Sequence, residues 1–237
     1  MTLAELKVKL FADGAERTRM LELARDPRIR GFTTNPSLMR RAGVTDYERF
    51  AREILAAIPD RPISLEVFAD DFTEMERQAR KIASWGENVY VKIPITNTRR
   101  ESSCDLIRRL SQSGVRVNVT AILTLRQVRE VTAALAGGAP AVVSVFAGRI
   151  ADTGRDPVPL MAAAAELAHA LPGVELLWAS VREVYNIVQA ELAGCDIITV
   201  TPDVLAKLEL WGKDLEEYSL ETVKVFHEDA LRSGYRI

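Results

Sequence analysis

Short runs of β-branched and aromatic residues recur along the chain, separated by longer stretches in which apolar residues return with helical spacing. The runs are VKLFAD (8–13), GFTTN (31–35), ISLEVF (63–68), VYVKIPI (89–95), VRVNVTAI (115–122), AVVSVFA (141–147), ELLWAS (175–180) and DIITVT (196–201). Runs of this length and character read as strands with both faces covered. Each leaves room for one helix before the next, and alternating strands and helices imply a parallel sheet. Eight such units predict a closed (β/α)8 TIM barrel. No linker rich in Pro, Gly or Ser interrupts the series, so a single domain over 1–237 is expected, with a C-terminal helical tail from about 203 to 237. An open doubly wound sheet is the alternative. It needs a glycine-rich phosphate turn after an early strand, and GGAP (137–140) instead precedes a strand.

Helix boundaries carry their own signals. Thr73 with Glu76, Thr124 with Gln127, and Ser180 with Glu183 fit the capping box, in which side chains at the first turn satisfy backbone N–H groups. Asn35-Pro36 and Thr201-Pro202 place a cap before a proline at the first helical position. Gly86, Gly114 and Gly194 follow helical runs, where a left-handed residue closes the helix. In the tail, Leu220, Val223, Phe226 and Ala230 fall on one side of a helical pattern.

Composition narrows the function classes. Of 237 residues 48% are apolar and 27% charged, with net charge −2 and the signs interspersed, so no general nucleic-acid or membrane surface is indicated. Cys104 and Cys195 stand far apart, and His169 and His227 are isolated. No Cys/His spacing suits zinc, and no metal site is expected. The N-terminal stretch lacks a long apolar segment, and no run reaches the roughly 18 apolar residues of a membrane span. A cytoplasmic location is expected.

Active sites of (β/α)8 barrels lie at the C-terminal ends of the strands. There the sequence places Asp13, Thr33, Thr34, Asn35, Glu66, Lys92, Asn118, Thr120, Ser144, Arg149, Ser180 and Arg182. Lys92 alternates with Val91 and Ile93 and shares its side with Tyr90 and Pro94. If the Val/Ile side packs under the helices, Lys92 points into the barrel beside Asp13, Asn35, Glu66 and Thr120. A lysine in a semi-apolar pocket can attack a carbonyl as a neutral amine and form a Schiff base. Asp13 and Glu66 are the groups available to move protons. Arg149 and Arg182 suit a phosphate through bidentate hydrogen bonds, with backbone N–H groups from a helix starting at Ser180. The bland alternatives are a snorkelling lysine, Asn35 and Ser180 as caps only, and Arg182 as a surface residue. Trp85 and Trp178 read as packing.

These segments resemble the transaldolase family. GFTTNPSL (31–38) is similar to its first signature and VYVKIPIT (89–96) to the segment around its Schiff-base lysine. NVTAILT (118–124), SVFAGRIADTG (144–154) and WASVRE (178–183) follow in the family's order. The length resembles the short transaldolases. The resemblance implies a class I aldolase barrel with the lysine on strand 4, no cofactor, and sugar phosphates as small-molecule partners. By the same resemblance Lys92 is the Schiff-base lysine, Asp13 the acid/base of C–C cleavage, and Glu66 and Thr120 the holders of the catalytic water. Thr33, Asn35 and Ser144 line the sugar site, and Arg149, Ser180 and Arg182 form the phosphate clamp. A homo-oligomer docked through the C-terminal helix is also implied. Fructose-6-phosphate aldolases, the alternative within the family, tend to carry Gln at the position of Glu66 and Tyr at that of Phe146. This chain has Val145 where proline is common in the family, and a basic segment with Arg99 and Arg100 after the lysine strand. Those two arginines either touch an unusual sugar phosphate or are solvated.

Overall fold

The computed structural model describes residues 2–236. Met1 and Ile237, the ends of the expected domain and of its tail, lie outside them. Eight strands form the sheet: β1 (Lys9–Asp13), β2 (Ile29–Thr33), β3 (Ile63–Glu66), β4 (Val89–Pro94), β5 (Val117–Ile122), β6 (Ala141–Val145), β7 (Val174–Trp178) and β8 (Ile197–Val200). Each pairs in parallel with the next, and β8 pairs with β1, closing the barrel. All eight expected strands are present, with ends displaced by no more than two residues.

Around the sheet run α1 (Arg17–Leu23), α2 (Pro36–Arg41), α3 (Tyr47–Ala57), α4 (Phe72–Ala83), α5 (Cys104–Gln112), α6 (Leu125–Leu135), α7 (Ala147–Ala151), α8 (Val158–His169), α9 (Tyr185–Leu192) and α10 (Pro202–Ala206), followed by α11 (Leu215–Ser233). Strand alternation divides the apolar residues into two bodies. Val91, Ile93, Val117, Val119, Val143, Leu176, Ile198 and Val200 face the helices and are inaccessible to solvent. Burying each such side chain fully contributes about 1.5–3 kcal/mol. Phe11, Val142, Leu177, Ala179 and Ile197 form the second body inside the barrel, with Tyr90 and Phe146 against it. Gly31 is required there, because a Cβ would lie 2.4 Å from the Phe11 ring. Tyr90 belongs to the interior body and Val91 to the outer one, so Lys92 points inward as its alternation predicts.

Helix ends agree with the sequence in part. Asn35 caps α2, its Oδ1 accepting from the Leu38 N–H at 3.0 Å, with Pro36 at the first position. Thr124 and Gln127 form a capping box on α6. The Thr73–Glu76 box is overturned: Asp71 caps α4, accepting from the backbone N–H groups of Thr73 and Glu74. A carboxylate just ahead of the first turn both accepts those bonds and complements the helix dipole. The Ser180–Glu183 box is also overturned, and no helix starts at Ser180. Asn186 Oδ1 takes the N–H groups of Arg182 (2.8 Å) and Glu183 (3.3 Å), and α9 begins only at Tyr185. Gly114 and Gly194 close α5 and α9 in the left-handed region, at φ +88° and +74°. Gly86 does not, since α4 has already ended at its C-cap Ser84.

α11 buries none of its residues against the barrel, and Leu220, Val223, Phe226 and Ala230 are all exposed. Among the described residues no helix is long and apolar enough to cross a membrane.

Candidate active site

The C-terminal ends of the strands surround a cavity of about 570 Å³. Asp13, Thr33, Asn35, Glu66, Lys92, Thr120, Ser144, Arg149, Ser180 and Arg182 all line it, so the residues expected to carry catalysis and substrate binding meet in one space, whereas Thr34 gives its hydroxyl to the Ser64 carbonyl. Parallel register explains the inner group. Glu66 on β3 and Lys92 on β4 are paired neighbours, as are Lys92 and Asn118 on β5, and Asp13 on β1 pairs with Thr33 on β2. Neighbours in register on one face of a sheet bring their side chains together.

Lys92 is buried, with 7% of its surface accessible. Its Nζ donates to the Thr34 carbonyl at 2.7 Å and lies 3.1 Å from Glu66 Oε2. The end of β3 that carries Glu66 is itself held, because the Tyr47 hydroxyl donates to the Glu66 carbonyl at 3.0 Å. Burial raises the Asp13 carboxyl above the ordinary aspartate range. The Lys92 charge and a hydrogen bond from Thr33 oppose this, and the Glu66 charge adds to it. The Thr33 hydroxyl donates to Asp13 Oδ1 at 2.7 Å and contacts the Thr199 hydroxyl at 2.5 Å. A threonine hydroxyl has one proton. Thr33 gives its proton to Asp13, so Thr199 is the donor to Thr33.

On the far side Ser144 Oγ donates to Asn118 Oδ1 at 2.6 Å, and Asn118 Nδ2 donates to Ser64 Oγ at 3.0 Å. Thr120 lies further along β5, next to Ala121. Ala121 adopts φ +63° at a break in the β5–β6 register, a strained conformation for a residue with a Cβ. Asn35, although a cap, also lines the cavity.

The rim carries the positive charge. Arg149 on α7 lies with its guanidinium carbon 5.4 Å from the Phe146 ring centroid, a cation–π contact. Arg182 meets Asp152 through two hydrogen bonds. Ser180 adopts φ +68°, so its place on the rim comes from an irregular turn rather than a helix N-terminus. Arg99 and Arg100 do not line the cavity. Arg99 pairs with Glu101 at 3.0 Å and Asp70 at 3.6 Å.

Asn118, placed at a strand end by the sequence but given no role, also lines the space, as do Phe146, Thr199 and Arg41, and the last two are not among the expected residues. Asn118 shares strand parity with Thr120, which is signal enough to find it. Thr199 sits in a β-branched run, and which of its residues faces inward depends on how β8 registers against β1. Arg41 reaches the site through the direction of α2, which its local sequence does not reveal. Among the described residues no group of three or more His, Cys, Asp or Glu stands where it could hold a metal ion.

Comparison with known proteins bears on the fold and the family. Among solved structures, 3-hexulose-6-phosphate synthase from Salmonella typhimurium superposes with TM-score 0.58 at 15% identity, covering 84% of this chain and 91% of that one. Dihydrodipicolinate synthase from Rhodopseudomonas palustris gives 0.54 at 15% identity, covering 93% and 80%. At such identity the likeness is one of fold. Proteins named "Probable transaldolase" are similar in sequence: 34% identical in Dehalococcoides mccartyi, covering 85% of this chain and 90% of the relative. The relative in Chelativorans sp. is 35% identical, covering 92% and 97%. The one in Hyphomonas neptunium is 33% identical, covering 97% and 100%. Residues 10–235 match the family described as Transaldolase/Fructose-6-phosphate aldolase, and the chain belongs to that family.

Proposed function

We propose that the protein is a transaldolase, reversibly moving a dihydroxyacetone unit from a ketose phosphate such as sedoheptulose 7-phosphate to an aldose phosphate such as glyceraldehyde 3-phosphate, as in the pentose phosphate pathway. The observation that carries this reading is a buried lysine with two carboxylates around it in an otherwise uncharged cavity floor. Buried ion pairs roughly break even for stability, so packing alone gives no reason for the set.

In this reading the Lys92 amine attacks the C2 carbonyl of the ketose. Glu66, beside Nζ, takes up a proton, and the carbinolamine loses water held by Glu66 and Thr120 to leave an iminium. Asp13 removes the proton from the C4 hydroxyl. The C3–C4 bond breaks, its electrons flow into the iminium to give an enamine on Lys92, and the shortened aldose departs. The acceptor aldehyde then takes the enamine carbon while Asp13 returns the proton. A carboxyl raised by burial suits this exchange, because proton transfer is most efficient when the group titrates nearer the working pH. Thr33, Asn35 and Ser144 contact the sugar, and Arg149, Ser180 and Arg182 hold the phosphate. Borohydride reduction in the presence of fructose 6-phosphate is expected to leave a dihydroxyacetone-derived mass on the peptide containing Lys92. An unmodified Lys92 peptide overturns the reading.

The rival reading is an aldolase that releases dihydroxyacetone without an acceptor. Phe146 bears on the choice. Its ring lines the cavity and carries no hydroxyl to protonate the enamine. Phe146→Tyr is expected to raise acceptor-free dihydroxyacetone release about a hundredfold, the lower range for one positioned proton donor. Release unchanged by the substitution removes Phe146 from the argument.

A further inference from the structure

Asp152 follows the last residue of α7 and stands three residues after Arg149. Its Oδ1 accepts from Arg182 Nε at 3.0 Å and its Oδ2 from Nη2 at 2.5 Å, while the Ser180 carbonyl accepts from Nη1 at 3.1 Å. A guanidinium has five N–H donors in a rigid plane. These contacts use three and leave one N–H on each Nη. Two neighbouring N–H groups of this kind are what a phosphate oxygen pair engages. Arg182 lines the cavity and Asp152 does not, so the carboxylate holds the guanidinium from outside. Both side chains are about half exposed, 46% for Arg182 and 51% for Asp152, and an exposed pair adds little to stability. The Arg182 bonds keep the Asp152 carboxyl below the ordinary range, with the Arg149 charge helping, so it is ionised at neutral pH.

We infer that Asp152 is a positioning residue of the phosphate clamp, fixing the Arg182 fork so that its two remaining N–H groups meet a phosphate monoester already oriented. The inference rests on the clamp reading of Arg149 and Arg182 given above. Without Asp152 the arginine keeps its charge and loses its fixed geometry, and binding must then immobilise a long side chain.

Inorganic phosphate is the probe, titrated calorimetrically at fixed ionic strength into the full-length protein. Asp152→Ala is expected to weaken its binding about tenfold, the scale on which the loss of an orienting partner acts. Asp152→Glu recovers part of that loss, and Arg182→Ala loses more than either. The thermal unfolding midpoint of Asp152→Ala stays at the wild-type value. In turnover Asp152→Ala raises KM for a phosphorylated acceptor, leaves its kcat within about twofold and leaves KM for unphosphorylated glyceraldehyde unchanged. Phosphate binding by Asp152→Ala as tight as or tighter than wild type overturns the proposal, because the carboxylate then only opposes the anion. A wild-type protein that binds no phosphate overturns it too. The Lys92 adduct is a separate measurement. A protein that binds phosphate through Arg182 and forms no adduct keeps this inference and loses the catalytic reading.

Discussion

Lys92→Met abolishes transfer, with kcat falling on the order of 10⁴–10⁶-fold, the scale on which removing a covalent nucleophile acts. Methionine is close in length and fills the inner channel, so the barrel persists. The substitution deletes the donor to the Thr34 carbonyl and the cation beside Glu66. It also deletes the main opposing influence on Asp13, whose carboxyl is already raised by burial. Asp13 moves further up, which makes the neutral form easier to carry in place of a stranded charge. The cost to folding is therefore about 3 kcal/mol at most, the low end for breaking a buried pair, since the cavity opens to water. The sign with pH follows. A carboxyl raised in the folded state contributes stability below its unfolded value and loses it as pH rises through the folded one. The deficit of the variant accordingly shrinks on acidification. Transfer assays with urea unfolding at two pH values check both parts. A kcat within tenfold of wild type removes Lys92 from the chemistry.

Gly148→Ala is expected to damage the rim through the backbone. Gly148 lies in α7 against the turn after β7, and a Cβ there would stand 1.6 Å from the Ser180 carbonyl oxygen and 2.7 Å from its carbon. No rotamer change relieves a clash with main chain. Ser180 is already at φ +68° and its carbonyl accepts from Arg182, so displacing it disturbs the serine and both arginines together. Overpacking of this kind costs about 1–3 kcal/mol or more. Urea unfolding should show that loss, and KM for phosphorylated substrates should rise more than kcat falls. Wild-type values of both would mean that the turn yields freely.

The eight strands and the inward lysine were legible because both depend on period-two alternation within short apolar runs. Lys92 between Val91 and Ile93 states its own direction once those two are assigned to the helix side. Asp13, Glu66 and Asn118 followed from their places in or at the ends of those strands. The capping signals were less decisive where several polar residues compete. Asp71, Thr73, Glu74 and Glu76 all lie near the start of α4, and which one caps depends on where the chain leaves β3. Ser180 carried the wrong local reading for a related reason. Nothing in WASVRE demands a left-handed serine, and the space its carbonyl occupies is left by Gly148, far away in sequence. Asp152 was invisible as a functional residue because its meaning lies in Arg182, on another strand's loop.

The hydroxyls of Thr199 and Thr33 form a line that ends on Asp13, each with a single proton to give. With Asp13 ionised, both O–H bonds point toward the carboxylate. If Asp13 Oδ1 takes up a proton and donates it to Thr33, both rotors turn round. The protonation state of one carboxyl is thereby written into the orientation of two hydroxyls, the farther of them on β8. A proton placed on Asp13 in this way reverses the polarity of a line that runs from β1 through β2 to β8 without any backbone movement.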